Sequence, residues 1–205
     1  MWTEPAFTVW LSRRAICAAR GFTAPKGLLV VLDGAKGLRA AVRDVFGDDV
    51  AVQRCQWHKR ENVLSYLPKA KHTEWRRKLQ AAYAHGAYAD AKRALQRLVT
   101  ERKKLNESAA RSLEEGLEET LTLHRLGLHD DLRRSLNTTN LIESVMAQIE
   151  RKTQRVDHWR TSDQKQRGCA ATLLQIEQNF RRIRGLKHLP LLRTALQDKL
   201  HGTAA

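Results

Sequence analysis

The sequence has no long apolar run. Its longest strongly apolar stretch is residues 28–32, whereas a membrane-spanning helix needs about 20 apolar residues. Arg13 and Arg14 follow the apolar residues near the N-terminus instead of preceding them, and no extended apolar region is found there. The sequence therefore predicts neither a secretory signal nor a membrane partner.

Cysteines and aromatic residues are also scarce. The three cysteines, Cys17, Cys55 and Cys169, are an odd number and are scattered along 205 residues. Such a set argues against a disulfide framework and favours a reducing compartment, the cytoplasm. Phe, Trp and Tyr make up 6% of the chain against 42% for all apolar residues, so the predicted core is mainly aliphatic.

Acidic residues are outnumbered by basic ones, 22 to 37, which gives a net charge of +15. Residues 54–104 contain 14 basic and 4 acidic side chains, and residues 144–205 contain 12 and 5. An acidic segment, residues 105–131, lies between these two blocks. Basic blocks of this size favour a polyanionic partner, nucleic acid first, although any single lysine can equally belong to a solvated helix face.

The first fifty-odd residues contain a strand–helix–strand pattern. Residues 28–32 are apolar and bounded by glycines, which predicts a strand buried on both faces. Apolar residues then recur every three or four positions up to Phe46, with Gly47 placed as a helix cap, and residues 50–55 predict a second strand. This β–α–β order is typical of a parallel sheet.

The remainder of the sequence is almost wholly helical in pattern, with no low-complexity linker and no clear repeat. The predicted fold class is therefore α/β and strongly α-rich. Helices are expected over residues 58–67, 74–83, 88–105, 108–123 with Gly116 inside, 140–151, 164–184 and 189–200.

Asp33 follows the first predicted strand directly and precedes Gly34. Functional groups gather at the carboxyl ends of strands in open α/β sheets, and a carboxylate held there suits a hard cation such as Mg²⁺. An aspartate in this position can equally be a turn residue or a cap of the next helix. Both interpretations are open from the sequence.

A second candidate motif is TTNLIES, which starts at Thr138. Its first three residues suit a helix start, and Glu143 then falls in the first turn, where the helix dipole favours a carboxylate. Glu143 is therefore either an ordinary first-turn glutamate or a functional carboxylate. The basic residues that follow are either a solvated helix end or phosphate contacts: Arg151, Lys152 and Arg155.

A third motif, C-x-x-H, is formed by Cys55 and His58. The spacing is that of half a zinc site, but a structural zinc needs four ligands and no second close Cys/His pair occurs in the sequence. We therefore expect a buried Cys55 and a hydrogen-bonded His58.

Five segments together resemble, in this order, the mutator-type transposases of bacterial insertion sequences: VVLDGAKGLRAAVRDVFG, QRCQWHKRENVLSYLPKA, SAARSLEEGLEETLTLHRLGL, TTNLIES and VDHW. The resemblance runs from about residue 27 to about residue 200 and includes Trp57 and Asn62 around the C-x-x-H motif. It implies an RNase H-like core in which two aspartates and a glutamate bind two divalent ions, Mg²⁺ or Mn²⁺. A large all-α insertion would precede the glutamate.

Matched residue by residue, Asp33 takes the place of the second aspartate and Glu143 that of the glutamate. The resemblance also implies active-site support from Cys55, His58 and Asn140, and DNA contacts at Lys59, Arg60, Arg151, Lys152 and Arg155. The implied organisation is a divergent N-terminal segment, a first part of the core, a helical insertion, and C-terminal core helices with a basic tail: residues 1–26, 27–58, 59–136 and 137–205.

The first aspartate of the family pattern has no counterpart, because Glu4 is the only acidic residue before Asp33. The chain is therefore expected to correspond to the C-terminal half to two-thirds of a transposase, with a partial RNase H-like core. The two-ion site is expected only in the complete enzyme, and this chain is expected to be inactive alone.

The implied function is transposition of an insertion sequence by metal-dependent DNA cleavage and strand transfer, in the bacterial cytoplasm at the nucleoid. The implied partners are DNA, as transposon ends and target, and either a second copy or a full-length transposase. The alternative is a non-catalytic DNA-binding remnant or an inhibitory partner of a full-length transposase.

Overall fold

The computed structural model describes residues 24, 27–47, 50–103, 106–154, 156, 158 and 161–202. This part of the chain is an α-rich α/β structure with one two-stranded parallel sheet. Its strands are β1 (Leu29–Leu32) and β2 (Ala51–Arg54). Its helices are α1 (Lys36–Phe46), α2 (Gln56–Ser65), α3 (Lys69–Ala84), α4 (Tyr88–Lys103), α5 (Glu107–Glu114), α6 (Leu117–Thr120), α7 (Thr122–Arg125), α8 (His129–Leu136), α9 (Asn140–Thr153), α10 (Ser162–Glu177) and α11 (Leu189–Gly202).

The predicted β–α–β unit is confirmed. β1 and β2 pair in parallel, with Leu29 opposite Ala51 and Leu32 opposite Arg54, and α1 connects them. The prediction that the first strand is buried on both faces is wrong, because only Leu32 of β1 is buried. Within the described residues β1 pairs with one strand only, so its other edge and part of its surface lack the cover that a central strand would have.

Polar side chains join β2 to the short helices α6 and α7. The Gln53 side chain is fully buried, donates to the Thr120 carbonyl over 2.9 Å and accepts from the Leu123 amide over 3.0 Å. Thr122 Oγ1 donates to the Val52 carbonyl over 2.6 Å. The Thr122 bond satisfies a backbone carbonyl of β2, and the Gln53 bonds satisfy backbone groups of α6 and α7, so these two short helices are held against β2.

The helical part has an aliphatic core, as the composition predicts. Its largest cluster joins α2, α3, α4 and α5 through side chains such as Val63, Leu79, Leu95 and Leu113, all fully buried. A second cluster packs α7, α8 and α11 against β2, with Ala51 and Leu132 among its members. The sheet is thus packed against helices from the middle and the C-terminal part of the described chain.

The prediction of one long helix over residues 108–123 is wrong. The helix starts earlier, because the Asn106 side chain accepts from the Ala109 amide and caps α5. It ends at Glu114, because Gly116 takes a left-handed conformation with φ of 64°. Two one-turn helices, α6 and α7, follow where the continuous helix was expected.

Three other differences concern the C-terminal part. α8 is absent from the sequence prediction, and α10 ends at Glu177, although the helix was expected to reach residue 184. α9 has the predicted position, but none of its side chains is buried. Its apolar residues Leu141, Ile142 and Met146 are each more than half exposed.

No helix in the described part of the chain is long and apolar enough to cross a membrane.

Candidate active site at the carboxyl ends of the strands

Asp33 and Cys55 each follow the last residue of a strand, and the register places them at the same edge of the sheet. The Cys55 amide donates to the Leu32 carbonyl over 2.6 Å, which extends the ladder to the residue before Asp33. Parallel strands bring their carboxyl ends together, so this geometry follows from the β–α–β connection. Both side chains therefore lie where open α/β sheets hold their functional groups.

The Asp33 carboxylate is exposed and takes part in the turn into α1. Its Oδ1 accepts from the Ala35 amide over 2.9 Å, and Ala35 is the N-cap residue that precedes α1. The turn interpretation of Asp33 is therefore observed as a hydrogen bond. This turn uses only one oxygen of the carboxylate, because Oδ2 has no hydrogen-bond partner among the described residues.

Cys55 is completely buried, as expected for a structural thiol, and is the N-cap residue of α2. Its Sγ accepts from the His58 amide over 3.5 Å, which gives the C-x-x-H motif a local reason, since the thiol caps the helix that carries the histidine. No group of three Cys, His, Asp or Glu side chains in the described ranges is arranged to hold a metal ion.

Thr139 connects the C-x-x-H motif to Glu143. Its Oγ1 lies 3.4 Å from Cys55 Sγ, 3.2 Å from His58 Nδ1 and 2.5 Å from Glu143 Oε1. A hydroxyl has one proton to donate, and a carboxylate is the strongest hydrogen-bond acceptor among these three neighbours, so Glu143 accepts it. The Thr139 oxygen is then free to accept from His58 Nδ1, which requires the tautomer protonated at Nδ1.

A buried amide network fixes the segment that carries Thr139. The Asn137 side chain donates to Gln56 Oε1 over 3.0 Å, and the Asn137 backbone carbonyl accepts from the Gln56 backbone N–H over 2.9 Å. Gln56 Nε2 in turn donates to the Thr120 carbonyl over 2.9 Å. The start of α2, the segment before α9 and the end of α6 are therefore tied together next to the site, although Asn137 Oδ1 is buried without a hydrogen-bond partner among the described residues.

Glu143 lies in the first turn of α9, with a side chain that is close to half exposed. Its Oε1 is 3.7 Å from His58 Nδ1, so the histidine and the carboxylate are neighbours through Thr139. Asn140 begins α9 and is exposed, so its role in supporting the site stays a prediction.

Lys59 occupies a different environment from the one expected of a phosphate contact. It is 0% exposed, and its ammonium donates to the Glu115 carbonyl and lies 3.3 Å from Glu115 Oε2. Burial and the neighbouring Arg54 lower the pKa of Lys59 to about 8, against the opposing effect of Glu115. Because the amine is enclosed, Lys59 does not belong to the DNA-facing residues of this conformation.

The other predicted phosphate contacts differ in accessibility. The Arg60 side chain is mostly buried and pairs with Glu61 over 3.2 Å, so it is also unsuited to a surface contact. Arg151 and Lys152 are exposed in the last turn of α9 and have no ion-pair partner in the described part of the chain. Arg155 lies outside the described residues.

The donor set fits a hard divalent cation in part. Carboxylate oxygens are the ligands that Mg²⁺ and Mn²⁺ prefer, and Asp33 and Glu143 each keep an oxygen without a protein partner in the residues described. Two carboxylates are fewer than the converging set that a two-ion site needs.

The chain is similar to a family of known proteins. The family model "Transposase, Mutator family" matches residues 10–182. The chain is 33% identical over 147 residues to a transposase for insertion sequence element IST2 of Acidithiobacillus ferrooxidans, covering 71% of this chain and 48% of the relative. It is 31% identical over 144 residues to a transposase for insertion sequence element IS6120 of Mycolicibacterium smegmatis, covering 70% and 43%.

The strand ends and the C-x-x-H motif define an α/β protein with a candidate carboxylate site at one sheet edge. The extent of the family match identifies it further: the chain belongs to the Mutator family of transposases. The predicted resemblance is therefore confirmed. The chain spans less than half the length of these two curated relatives.

Proposed function

We propose that this chain acts in transposition of an insertion sequence, as the part of a transposase that provides two carboxylates for metal-dependent DNA cleavage and strand transfer. The observation that carries the proposal is the Thr139 hydroxyl, which links Glu143 to the C-x-x-H motif beside the strand end that carries Asp33. This arrangement is consistent with an RNase H-like core, of which β1, α1 and β2 would form one part.

Asp33 and Glu143 would bind one Mg²⁺ or Mn²⁺ ion in this chain, whereas the two-ion site would form only in the complete enzyme. Such ions, when bound, activate the attacking oxygen and stabilise the leaving oxygen at phosphorus. The role of Thr139 is to hold the Glu143 carboxylate through its hydrogen bond, and Cys55 and His58 hold Thr139 in turn. A carboxylate held by such a second layer of contacts keeps the position that ligation requires.

The reaction proposed is in-line displacement at phosphorus. Water attacks the phosphodiester, the bond to the 3′ oxygen breaks, and the released 3′-OH then attacks a phosphodiester of the target DNA. Each step forms one P–O bond and breaks one, so no oxidant or reductant is needed. Arg151 and Lys152 would contact phosphates, because both are exposed beyond the Glu143 turn of the same helix.

The third carboxylate is proposed to come from another transposase chain or from a segment beyond the described residues. Two features support this. β1 has one paired edge within the described residues, so a further strand could add beside it. In addition, the described residues contain no set of three ligands.

A manganese titration of the isotopically labelled chain tests the site. Paramagnetic broadening is expected for the amides around Asp33 and Glu143, with loss of the effect in Asp33→Asn and Glu143→Gln. Glu150→Gln is the matched control, because Glu150 is exposed on the same helix. Broadening that survives both site variants, or that disappears equally in the control, would refute the carboxylate assignment.

The alternative function is a non-catalytic DNA-binding partner that inhibits a full-length transposase. The observation in its favour is the missing third carboxylate among the described residues. Mixing this chain with an inactive full-length relative separates the two functions: restored Mn²⁺-dependent nicking supports catalysis in a shared site. Loss of nicking when the chain is added to an active relative supports inhibition.

A further inference from the structure

A basic cavity of about 350 Å³ lies next to Asp33. It is bounded by Gly34 and Arg54 at the strand ends, by α1, and by the segment that joins α5 and α6. Four basic and two acidic side chains line it: Lys36, Arg39, Arg43, Arg54, Glu115 and Glu119. The lining is therefore positive overall, although the acidic segment of the sequence contributes to it.

The first turn of α1 lines this cavity through Lys36 and Arg39, and Arg39 is ion-paired with Glu119 on the opposite side. α1 has no acidic residue in its first turn and no side-chain cap on its first N–H groups, while Lys36 is its first residue. A cation at a helix N-terminus opposes the helix dipole and would normally be selected against. A bound anion removes the conflict, because it can interact with both the exposed N–H groups and the lysine.

The environment of Arg54 independently favours an anion in this cavity. It is 6% exposed, lines the cavity, and has a buried Nε without a hydrogen-bond partner in the described structure. The guanidinium packs directly under Gly34, where φ is +106° and an added Cβ would lie 2.5 Å from Nε. Glycine at this turn therefore allows a buried guanidinium to approach the loop that follows Asp33.

The buried charges beside the cavity do not balance. Arg54 Nη1 lies 2.8 Å from Glu115 Oε2, and the fully buried Lys59 shares the same carboxylate. Two buried cations therefore share the half-exposed Glu115 carboxylate, while Glu119, the other carboxylate of the lining, is paired with Arg39. Because an uncompensated buried charge is costly, a further anion at this position would be stabilising.

We propose that this cavity binds a phosphate group of a nucleic acid strand, held by Lys36 and the first amides of α1, with Arg54 supplying buried positive charge. The inference rests on the proposed function, since it places this phosphate on the strand that reaches Asp33. The site would fix the position of that strand along the sheet edge through a phosphate next to the reacting one. It reads no base, because every group in it recognises phosphate.

A metal-free titration of the labelled 205-residue chain tests this site. The probes are inorganic phosphate and the dinucleotide TpT, which has a single phosphodiester. The amides of residues 34–38 are expected to shift with both probes, and Lys36→Gln should weaken binding by about tenfold, as expected for loss of one charged contact. Binding of inorganic phosphate alone would overturn the nucleic-acid assignment.

Arg77→Gln is the matched control, because Arg77 is an exposed arginine on α3 with no ion-pair partner among the described residues. Equal weakening by Lys36→Gln and Arg77→Gln would show diffuse attraction and would overturn the site. Arg54→Met should abolish the shifts if circular dichroism shows that it folds. If it does not fold, Lys36→Gln decides the question.

Asp33→Asn separates this inference from the proposed catalytic function. The variant should lose Mn²⁺ broadening but keep phosphate binding or strengthen it, because a negative charge beside the cavity has been removed. Phosphate binding without any Mn²⁺ effect in the wild type would support the cavity and contradict the catalytic proposal. Mn²⁺ broadening without phosphate binding in the wild type would contradict only the proposed phosphate site.

Discussion

Lys59 is a buried cation whose charge has a cost for folding. Its ammonium is enclosed, and its pKa falls to about 8 because burial outweighs the attraction of Glu115. Arg54 also donates to the Glu115 carbonyl, over 3.1 Å, so that carbonyl keeps a partner if the lysine is removed. We therefore expect Lys59→Met to increase the free energy of unfolding at pH 7 by about 1 to 3 kcal/mol in urea denaturation.

The pH dependence provides an internal check on this prediction. The folded pKa of about 8 lies below the unfolded value of 10.5, so the unfolded chain binds more protons between these two pH values. The wild-type stability should therefore rise with pH across this window relative to Lys59→Met. A methionine variant that is less stable than the wild type at pH 7 would contradict the prediction.

His129 should make the fold sensitive to acid. It is buried and stacks on His124 with ring centroids 3.6 Å apart. Burial first, and then the His124 ring, lower the pKa of His129 from 6.5 to about 4. The unfolded chain therefore binds more protons between pH 6.5 and 4, and stability should fall by up to about 3 kcal/mol as the pH decreases through this window.

His129→Leu tests this prediction, since it removes the titrating ring while it retains an apolar side chain. Urea denaturation at several pH values should show a flatter profile for this variant than for the wild type. Leu132→Ala is the control, because it is a buried change on the same helix without a titrating group. It should lower stability and leave the pH slope unchanged. An unchanged slope in His129→Leu would show that other groups cause the acid sensitivity.

At the scale of elements, Gly116 decides where the acidic segment turns. It separates α5 from α6, its φ is 64°, and an added Cβ would overlap Arg54 Nη1. Gly116→Ala should therefore lower the free energy of unfolding by about 1 to 3 kcal/mol, through backbone strain and displacement of a buried guanidinium. Gly37→Ala is the control: Gly37 is helical with open space around it, and this change should stabilise by about 0.5 to 1 kcal/mol. Similar effects of both changes in chemical denaturation would be inconsistent with this role of Gly116.

The same glycine shows why the sequence predicted some elements and not others. The β–α–β unit and most long helices follow from apolar spacing, which is a local signal. Gly116 was expected to be a weak point inside a helix, because a single glycine does not reveal whether it adopts a left-handed conformation. α8 was missed because it is only eight residues long and follows directly after the Gly127 turn.

The candidate site was predictable in its residue types but not in its contacts. Asp33, Cys55 and Glu143 were recognisable from their motifs. Thr139 was expected only to start a helix, yet it joins Glu143 to the C-x-x-H motif through a contact between distant parts of the chain. The burial of Lys59 was likewise unpredictable, because a lysine in a basic sequence gives no sign of a partner 56 residues away.

At the scale of the whole molecule, the described residues leave two kinds of surface without a partner. One is the free edge of β1, and the other is the apolar side of α9, next to the turn that carries Glu143. Both adjoin the candidate site, and the chain spans less than half the length of two curated relatives. Both surfaces therefore border the site to which the proposed third carboxylate would be added.

The exposure of the α9 side gives a direct prediction. Ile142 is 57% exposed, so Ile142→Gln should change the free energy of unfolding by no more than about 0.5 kcal/mol. It should also reduce binding of the dye ANS, because an exposed apolar patch becomes smaller. Leu132→Ala is the contrasting change, because Leu132 is fully buried and its truncation should cost about 2 to 5 kcal/mol. A cost above about 1.5 kcal/mol for Ile142→Gln exceeds that of an ordinary surface change. It would mean that this side of α9 is covered in solution by another copy or by residues outside the described ranges.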